Sequence, residues 1–271
     1  MVRFRFISMV VLCVLLVLMA ISTVGRGVSA LPPPTRLFYF NPDSTLTNLV
    51  SLKLEMDIFL QQSGLEFNFA PFAKLKDFDR MTRSDLPEFV LLPKWYWEKN
   101  GEALQLVPIL IPSHNGSTTY QKVLLAPKDA DFSQSGLERK TMAMTTMGPD
   151  GEAILNKILF AQINSSSSQL NMVETPKDAD ALFALVLGQV DLALVGKDNI
   201  AQVAKMNPRL VDRVRALAET TPISLPLLCC RKGSASAEQI EAMKKLILGT
   251  NDKSVKIMEM LQIDAWHAYS K

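Results

Sequence analysis

Two hydrophobic periods alternate along most of this chain of 271 residues. From residue 37 onward, short apolar runs of strand length are followed by segments whose apolar positions recur three and four apart. Residues 37–40 read as a first strand. The turn-and-cap sequence Asn41-Pro42-Asp43-Ser44 follows, then a helix to about Gln62 that Ser63-Gly64 closes. Residues 65–69 alternate as a strand, a short helix follows Pro71, and residues 88–92, ended by Pro93, make a third strand. Residues 104–111 and 119–126 predict two longer extended segments, joined by Pro112-Ser113-His114-Asn115-Gly116-Ser117.

A second block restarts at residues 141–145, and Met147-Gly148-Pro149-Asp150-Gly151 turns strand into helix. Ile154, Leu155, Ile158, Leu159 and Ile163 share one helical face, four serines (165–168) form a loop, and residues 170–173 are a strand. Ala179, Leu182, Phe183, Val186 and Leu187 then mark a helix with Gly188 as its C-cap. The apolar run 190–195 follows as a buried strand carrying one acid, Asp191, which asks for a reason. Gly196-Lys197-Asp198-Asn199 leads into another helical pattern. Residues 211–217 and 225–230 are extended, Ile240, Met243, Leu246 and Ile247 mark a helix, and a final helical region ends the chain. Two βα blocks separated by long extended segments predict an α/β fold of two lobes joined by two crossing strands. The expected boundaries put residues 31–126 and 225–271 in the first lobe and 140–218 in the second. Residues 127–139 and 219–224 are then the crossings.

The N-terminus changes the charge picture. Arg3 and Arg5 precede an apolar run over residues 6–24, and Val28-Ser29-Ala30 has the small residues of a cleavage site. Residues 1–30 are therefore expected to be a secretory signal peptide; an uncleaved membrane anchor is the alternative, since the run is near spanning length. Leu31-Pro32-Pro33-Pro34 is a stiff linker. All three charges of the leader are arginines, and without them 26 basic residues face 27 acidic ones. That balance gives no reason to expect nucleic acid or an acidic membrane surface as partner. Cys229 and Cys230 are adjacent in an apolar run and read as core thiols, because a vicinal disulfide is strained. With two histidines, no Gly-x-Ser-x-Gly and no spaced ligand cluster, no catalytic residue, metal or cofactor is assigned.

Several segments in this order resemble the type II periplasmic binding proteins, in particular the phosphate/phosphonate-binding family of ABC importers. Residues 87–93 (PEFVLLP) resemble the family's third strand, and 115–125 (NGSTTYQKVLL) its Gly-x-x-x-Tyr crossing strand. Residues 188–193 (GQVDLA) resemble its Gly-x-Val-Asp-Ala element, and 221–227 (TPISLPL) the strand returning to the first lobe. The resemblance spans nearly all of the chain after the leader. It implies a monomeric protein of the periplasm that closes two lobes around a solute and presents it to an inner-membrane permease or other transporter.

At the positions the resemblance assigns to ligand, this chain departs from the family. The hydroxyl cluster at the second lobe's first helix is replaced by Met147-Gly148-Pro149-Asp150-Gly151-Glu152, where Pro149 lacks an N–H and two acids crowd the positive helix end. The family's tyrosine falls on Leu92, an aromatic on Phe72, and a histidine near Asp178. The expected cleft is thus apolar, walled by Phe72, Leu92, Trp95, Tyr96 and Met147. Its polar anchors are Asn41, Tyr120, Thr145, Thr146 and Asp191. The expected cargo is an apolar or amphipathic organic molecule, lipids and sterols included, in place of phosphate. Alternatives stay open: an oxyanion binder, a periplasmic sensor or assembly protein, and a lyase on the same fold. Residue by residue, Trp95-Tyr96-Trp97 could simply cover the first lobe, Phe72 and Leu92 could be core, Tyr120 could brace the hinge, and Asp191 could pair with Lys197.

Overall fold

The computed structural model describes residues 34–46, 48–64, 66–85, 87–131, 134–249 and 251–270. The expected signal peptide and its cleavage site lie outside these residues. In chain order the first lobe begins β1 (Thr35–Phe40), α1 (Leu49–Leu60), β2 (Phe67–Phe72), α2 (Leu75–Ser84), β3 (Phe89–Leu92), α3 (Lys94–Asn100) and β4 (Leu106–Ser113). A two-residue strand, β5 (Thr119–Tyr120), crosses to the second lobe. There follow β6 (Lys122–Pro127), β7 (Thr141–Thr145), α4 (Gly151–Ile158), β8 (Asn171–Thr175), α5 (Asp178–Val186), β9 (Leu192–Gly196), α6 (Lys197–Met206), α7 (Pro208–Val211) and β10 (Val214–Glu219). The chain returns through β11 (Ile223–Ser224) to β12 (Leu227–Arg231), α8 (Ala237–Leu248), α9 (Asp252–Leu261) and β13 (Ala265–Ala268).

The strands form two sheets. One runs β13-β4-β12-β3-β1-β2 and the other β10-β6-β9-β7-β8, while β5 and β11 pair antiparallel between them. Each sheet has apolar clusters on both faces: Leu37, Phe69 and Leu228 on one side and Phe40, Phe78 and Cys229 on the other in the first; Met142, Leu155 and Leu194 against Leu125, Leu182 and Val195 in the second. Buried on both faces, such strands read as continuous apolar runs, which is why the pattern located them. The two-lobe α/β architecture with crossing strands is the one observed.

Four local expectations change. Strand β6 belongs to the second sheet, where it pairs with β9 and β10, so the first lobe ends before residue 119 and the outward crossing is β5, upstream of residues 127–139. The first helix starts at Leu49, capped by Asn48, whose side chain accepts the Ser51 N–H. The turn at residues 41–44 caps no helix; the Asn41 side chain accepts the Asp43 N–H at 3.1 Å, an Asx turn that projects Asp43 away from its own lobe. The chain also ends in a strand, not a helix. The helix stops at Gln262 in the left-handed conformation, and β13 pairs with the edge of β4.

In β12, Cys229 packs on one face of the sheet and Cys230 on the other, both as free thiols. Burial and the neighbouring thiol push the Cys229 thiol far up, and burial raises that of Cys230. Among the described residues, no helix is long and apolar enough to cross a membrane.

Candidate functional site

Parallel strands β7 and β9 deliver their C-terminal ends, Thr145 and Gly196, to the space between the lobes, the edge where open α/β sheets bind ligands. Antiparallel β6 begins at that edge: Lys122 pairs with Gly196. Tyr120 and Lys122 are two apart on an extended segment, so both side chains leave on one face. That face carries a charged cluster largely removed from water. Lys122 has no exposed surface, nor has Asp178, and the Asp43 side chain is 9 % exposed.

The cluster is built as follows. Lys122 Nζ lies 2.5 Å from Asp43 Oδ1 and 3.0 Å from Asp178 Oδ1, and donates to Thr145 Oγ1 at 2.6 Å. The Thr145 hydroxyl donates to Asp43 Oδ1 at 2.5 Å, and the Tyr120 hydroxyl donates to Asp43 Oδ2. Asp178 Oδ2 accepts the Gly196 N–H at 2.7 Å, at the first turn of α5 where a negative charge suits the helix dipole. The Asn199 amide spans both acids, donating to Asp43 O at 3.1 Å and Asp178 Oδ2 at 3.2 Å. Gly196 is required by the fit, since a Cβ there would stand 2.9 Å from Asp178 Oδ2.

These neighbours set the protonation states. Burial pulls the Lys122 ammonium down, but Asp178 and Asp43 outweigh it and leave it raised. Burial drives the Asp178 carboxyl up to about 6 even beside Lys122, because the charge of Asp43 adds to the desolvation. Burial and Asp43 push the Tyr120 phenol well up, so it stays a neutral donor.

Beside the cluster lies a cavity of about 250 Å³ between the lobes. Its walls are Pro93 and Trp95 from the first lobe, Met147, Ile154 and Ile158 from the second, and Pro222 and Ile223 from the crossing; Asn41, Glu98, Tyr120 and Lys157 are among its polar groups. Trp95 closes one end by packing on Gly148, whose φ of +76° and lack of Cβ let the ring approach. On the far side of Trp95 lies a second cavity of about 410 Å³, whose lining includes Asp79, Arg83, Lys99 and Glu174. Lys99 bonds Asp150 across the lobes at 2.6 Å, and Lys177 Nζ donates to Leu46 O at 2.9 Å.

Of the ligand residues expected from sequence, Asn41, Trp95, Tyr120 and Met147 line this cavity and Thr145 lies in the charged cluster. Thr146 is buried nearby, its hydroxyl accepting the Gly148 N–H. Phe72, Leu92 and Tyr96 are instead part of the first lobe's core. Phe72 packs edge-on against Phe38 and Phe78, Leu92 is fully buried, and the Tyr96 hydroxyl donates to Asp79 at 2.7 Å. Asp191 is at the opposite end of β9 from the cleft, where it accepts the Thr141 N–H at 2.8 Å and faces Lys140 at 3.6 Å; Lys197 pairs with Glu219. Its place in an apolar strand is thus explained by an inter-strand tie. His114 is half-buried between Asp198 and Asp264 at 3.8 and 3.7 Å. The residues that sequence reasoning missed are Asp43, Lys122 and Asn199. A lysine opening an apolar strand, two residues after a tyrosine, is the signal that marked Lys122. Among the described residues, no group of three or more His, Cys, Asp or Glu side chains could hold a metal ion.

The family model for the periplasmic substrate-binding protein of phosphonate ABC transporters matches residues 39–271. No curated protein matches by sequence. Among solved structures, the binding-protein component of a phosphonate ABC transporter from Pseudomonas aeruginosa superposes with a TM-score of 0.70 at 16% identity, covering 88% of this chain and 82% of that one. PhnD1 from Prochlorococcus marinus, in complex with methylphosphonate, gives 0.69 at 12% identity over 88% and 93%. A Xanthomonas citri protein bound to ATP gives 0.65 at 13% identity over 88% and 92%. At these identities the likeness is one of fold.

Proposed function

Because this chain belongs to the family of periplasmic substrate-binding proteins of phosphonate ABC transporters, we propose that it delivers a solute from the cleft between its lobes to a membrane permease, and that this solute is a small amphipathic organic molecule. The observation that carries the choice of solute is the engagement of the cleft's hydroxyl and ammonium donors. Tyr120, Lys122 and Thr145 are all directed at Asp43. One ammonium faces two acids, so a phosphonate entering the cluster would add negative charge where it is already in excess, at low dielectric.

The neighbouring cavity offers the other half of the reading. Trp95, Met147, Ile154 and Ile158 supply an apolar wall, and Asn41 and Lys157 are polar groups for one end of a solute. At about 250 Å³ it is near the lower limit of small-molecule pockets, roughly 300–1,000 Å³, so a small organic body suits it better than a sterol. Calorimetric titration with phosphate, phosphite and methylphosphonate should show no binding. Micromolar affinity for any of them would overturn the choice of solute. Native mass spectrometry of protein purified from its own host should retain a small organic mass.

A further inference from the structure

Both ends of Asp43 are gripped by groups beyond its own lobe. Its carboxylate takes Lys122 Nζ at 2.5 Å, Thr145 Oγ1 at 2.5 Å and the Tyr120 hydroxyl, while its backbone carbonyl takes Asn199 Nδ2 at 3.1 Å. None of those partners is in the first lobe's sheet: Tyr120 is on the crossing, and the others are on β6, β7 and α6. An ammonium with no exposed surface requires a nearby anion. Asp178 is a second anion for Lys122, but its other oxygen is committed to Gly196 and Asn199. The position filled by the Asp43 carboxylate therefore has the make-up of an anion site: a cation, two hydroxyl donors and little access to water.

We propose that Asp43 is a ligand the chain supplies to itself, its carboxylate filling an anion seat made by Tyr120, Lys122 and Thr145. In that seat it holds the lobes together without an imported anion and bars small oxyanions from the cleft. Opening the lobes withdraws the carboxylate and leaves Lys122 with Asp178 alone, so the closed arrangement is favoured before any solute arrives. The proposal rests on the reading of the cleft as one that declines oxyanions, and it can fail while that reading stands.

Formate, a bare carboxylate, is the probe. In Asp43→Ala the seat is vacated. The variant should melt below wild type in sodium chloride, and sodium formate at equal ionic strength should raise its Tm. The rise should be about 3 °C or more for each tenfold increase in formate above its dissociation constant. Wild type should show no formate-specific rise. A variant that formate does not stabilise, or a wild type stabilised equally, overturns the proposal. Should Asp43→Ala not fold, Asp43→Asn keeps the shape and removes the charge. Its radius of gyration in solution without solute should exceed that of wild type, and equal radii overturn the self-supplied closure. Methylphosphonate titrated into wild type reads the choice of solute separately. Failed formate rescue with no methylphosphonate binding sinks the seat alone, and failed rescue with micromolar methylphosphonate binding sinks both.

Discussion

Lys122 meets no water, yet two acids and a hydroxyl surround its ammonium. Breaking such a cluster on one side costs more than the cluster contributes as a whole, because the remaining charges stay buried. Lys122→Met should destabilise the protein by about 3–5 kcal/mol in denaturant unfolding; a loss under about 1 kcal/mol would mean that the cluster is hydrated. Asp178 has the opposite pH dependence to an ordinary paired acid. Its folded value, about 6, lies above the ordinary value of 3.8, so between those limits the folded state binds more protons than the unfolded one. Stability from this group therefore falls as pH rises from about 4 to about 6, and moving from pH 7 to pH 5 should add about 1 kcal/mol. Asp43, Lys122, Thr145 and Asn199 face it, and Asp178→Asn should remove the dependence. Glu88 works in the other sense: burial raises its carboxyl, but hydrogen bonds from Arg36 outweigh this and leave it below its ordinary value of 4.5, so its stabilisation is present above that pH and is lost as pH falls below it.

At the scale of elements, the turn between β7 and α4 carries a contact between the lobes as well as a change of direction. Gly148→Ala must accommodate both a φ of +76° and a Cβ placed 2.6 Å from Trp95 Cζ3. Gly188 has a similar φ, +71°, with nothing near its absent Cβ. Gly188→Ala should cost about 1 kcal/mol for backbone strain, and Gly148→Ala more than that, with a change in Trp95 fluorescence that Gly188→Ala lacks. Equal costs would mean that Trp95 does not rest on this turn. The same elements explain what the sequence could disclose. Strands buried on both faces write themselves as apolar runs, so the βα alternation was legible. Short β13 was not, because Ala-Trp-His-Ala has no strand pattern of its own and is fixed by the edge of β4. Asp191 was misplaced because an acid in a strand looks the same at either end. Asp43 was hidden because Asn-Pro-Asp-Ser is equally a helix cap and a projecting turn, and only the tertiary partners decide between them.

For the whole molecule, contacts between lobes fall into two kinds. Lys99–Asp150 is short, 2.6 Å, but its side chains are 38% and 56% exposed. Screening makes such a pair weak, and a double-mutant cycle should give under about 1 kcal/mol, falling further with added salt. The Asp43–Lys122 pair is 9% and 0% exposed and should keep most of its coupling at the same salt. A coupling at Lys99–Asp150 of several kcal/mol would show that the rim, and not the buried cluster, governs closure. The cavity between the two is bounded by Trp95 and Tyr120, one packed on the second lobe's turn and the other bonded to the charged cluster.

The adjacent thiols of β12 offer a different use of the same architecture. One is sequestered beneath each layer of helices on the first sheet, and neither reaches solvent without part of the protein opening. Alkylation with iodoacetamide followed by tandem mass spectrometry would thus clock the two layers independently. If α1, α8 and α9 detach before the layer containing α2 and α3, carbamidomethyl groups accumulate on Cys230 ahead of Cys229. Two neighbouring atoms on one strand would then report the order in which opposite sides of a protein come apart.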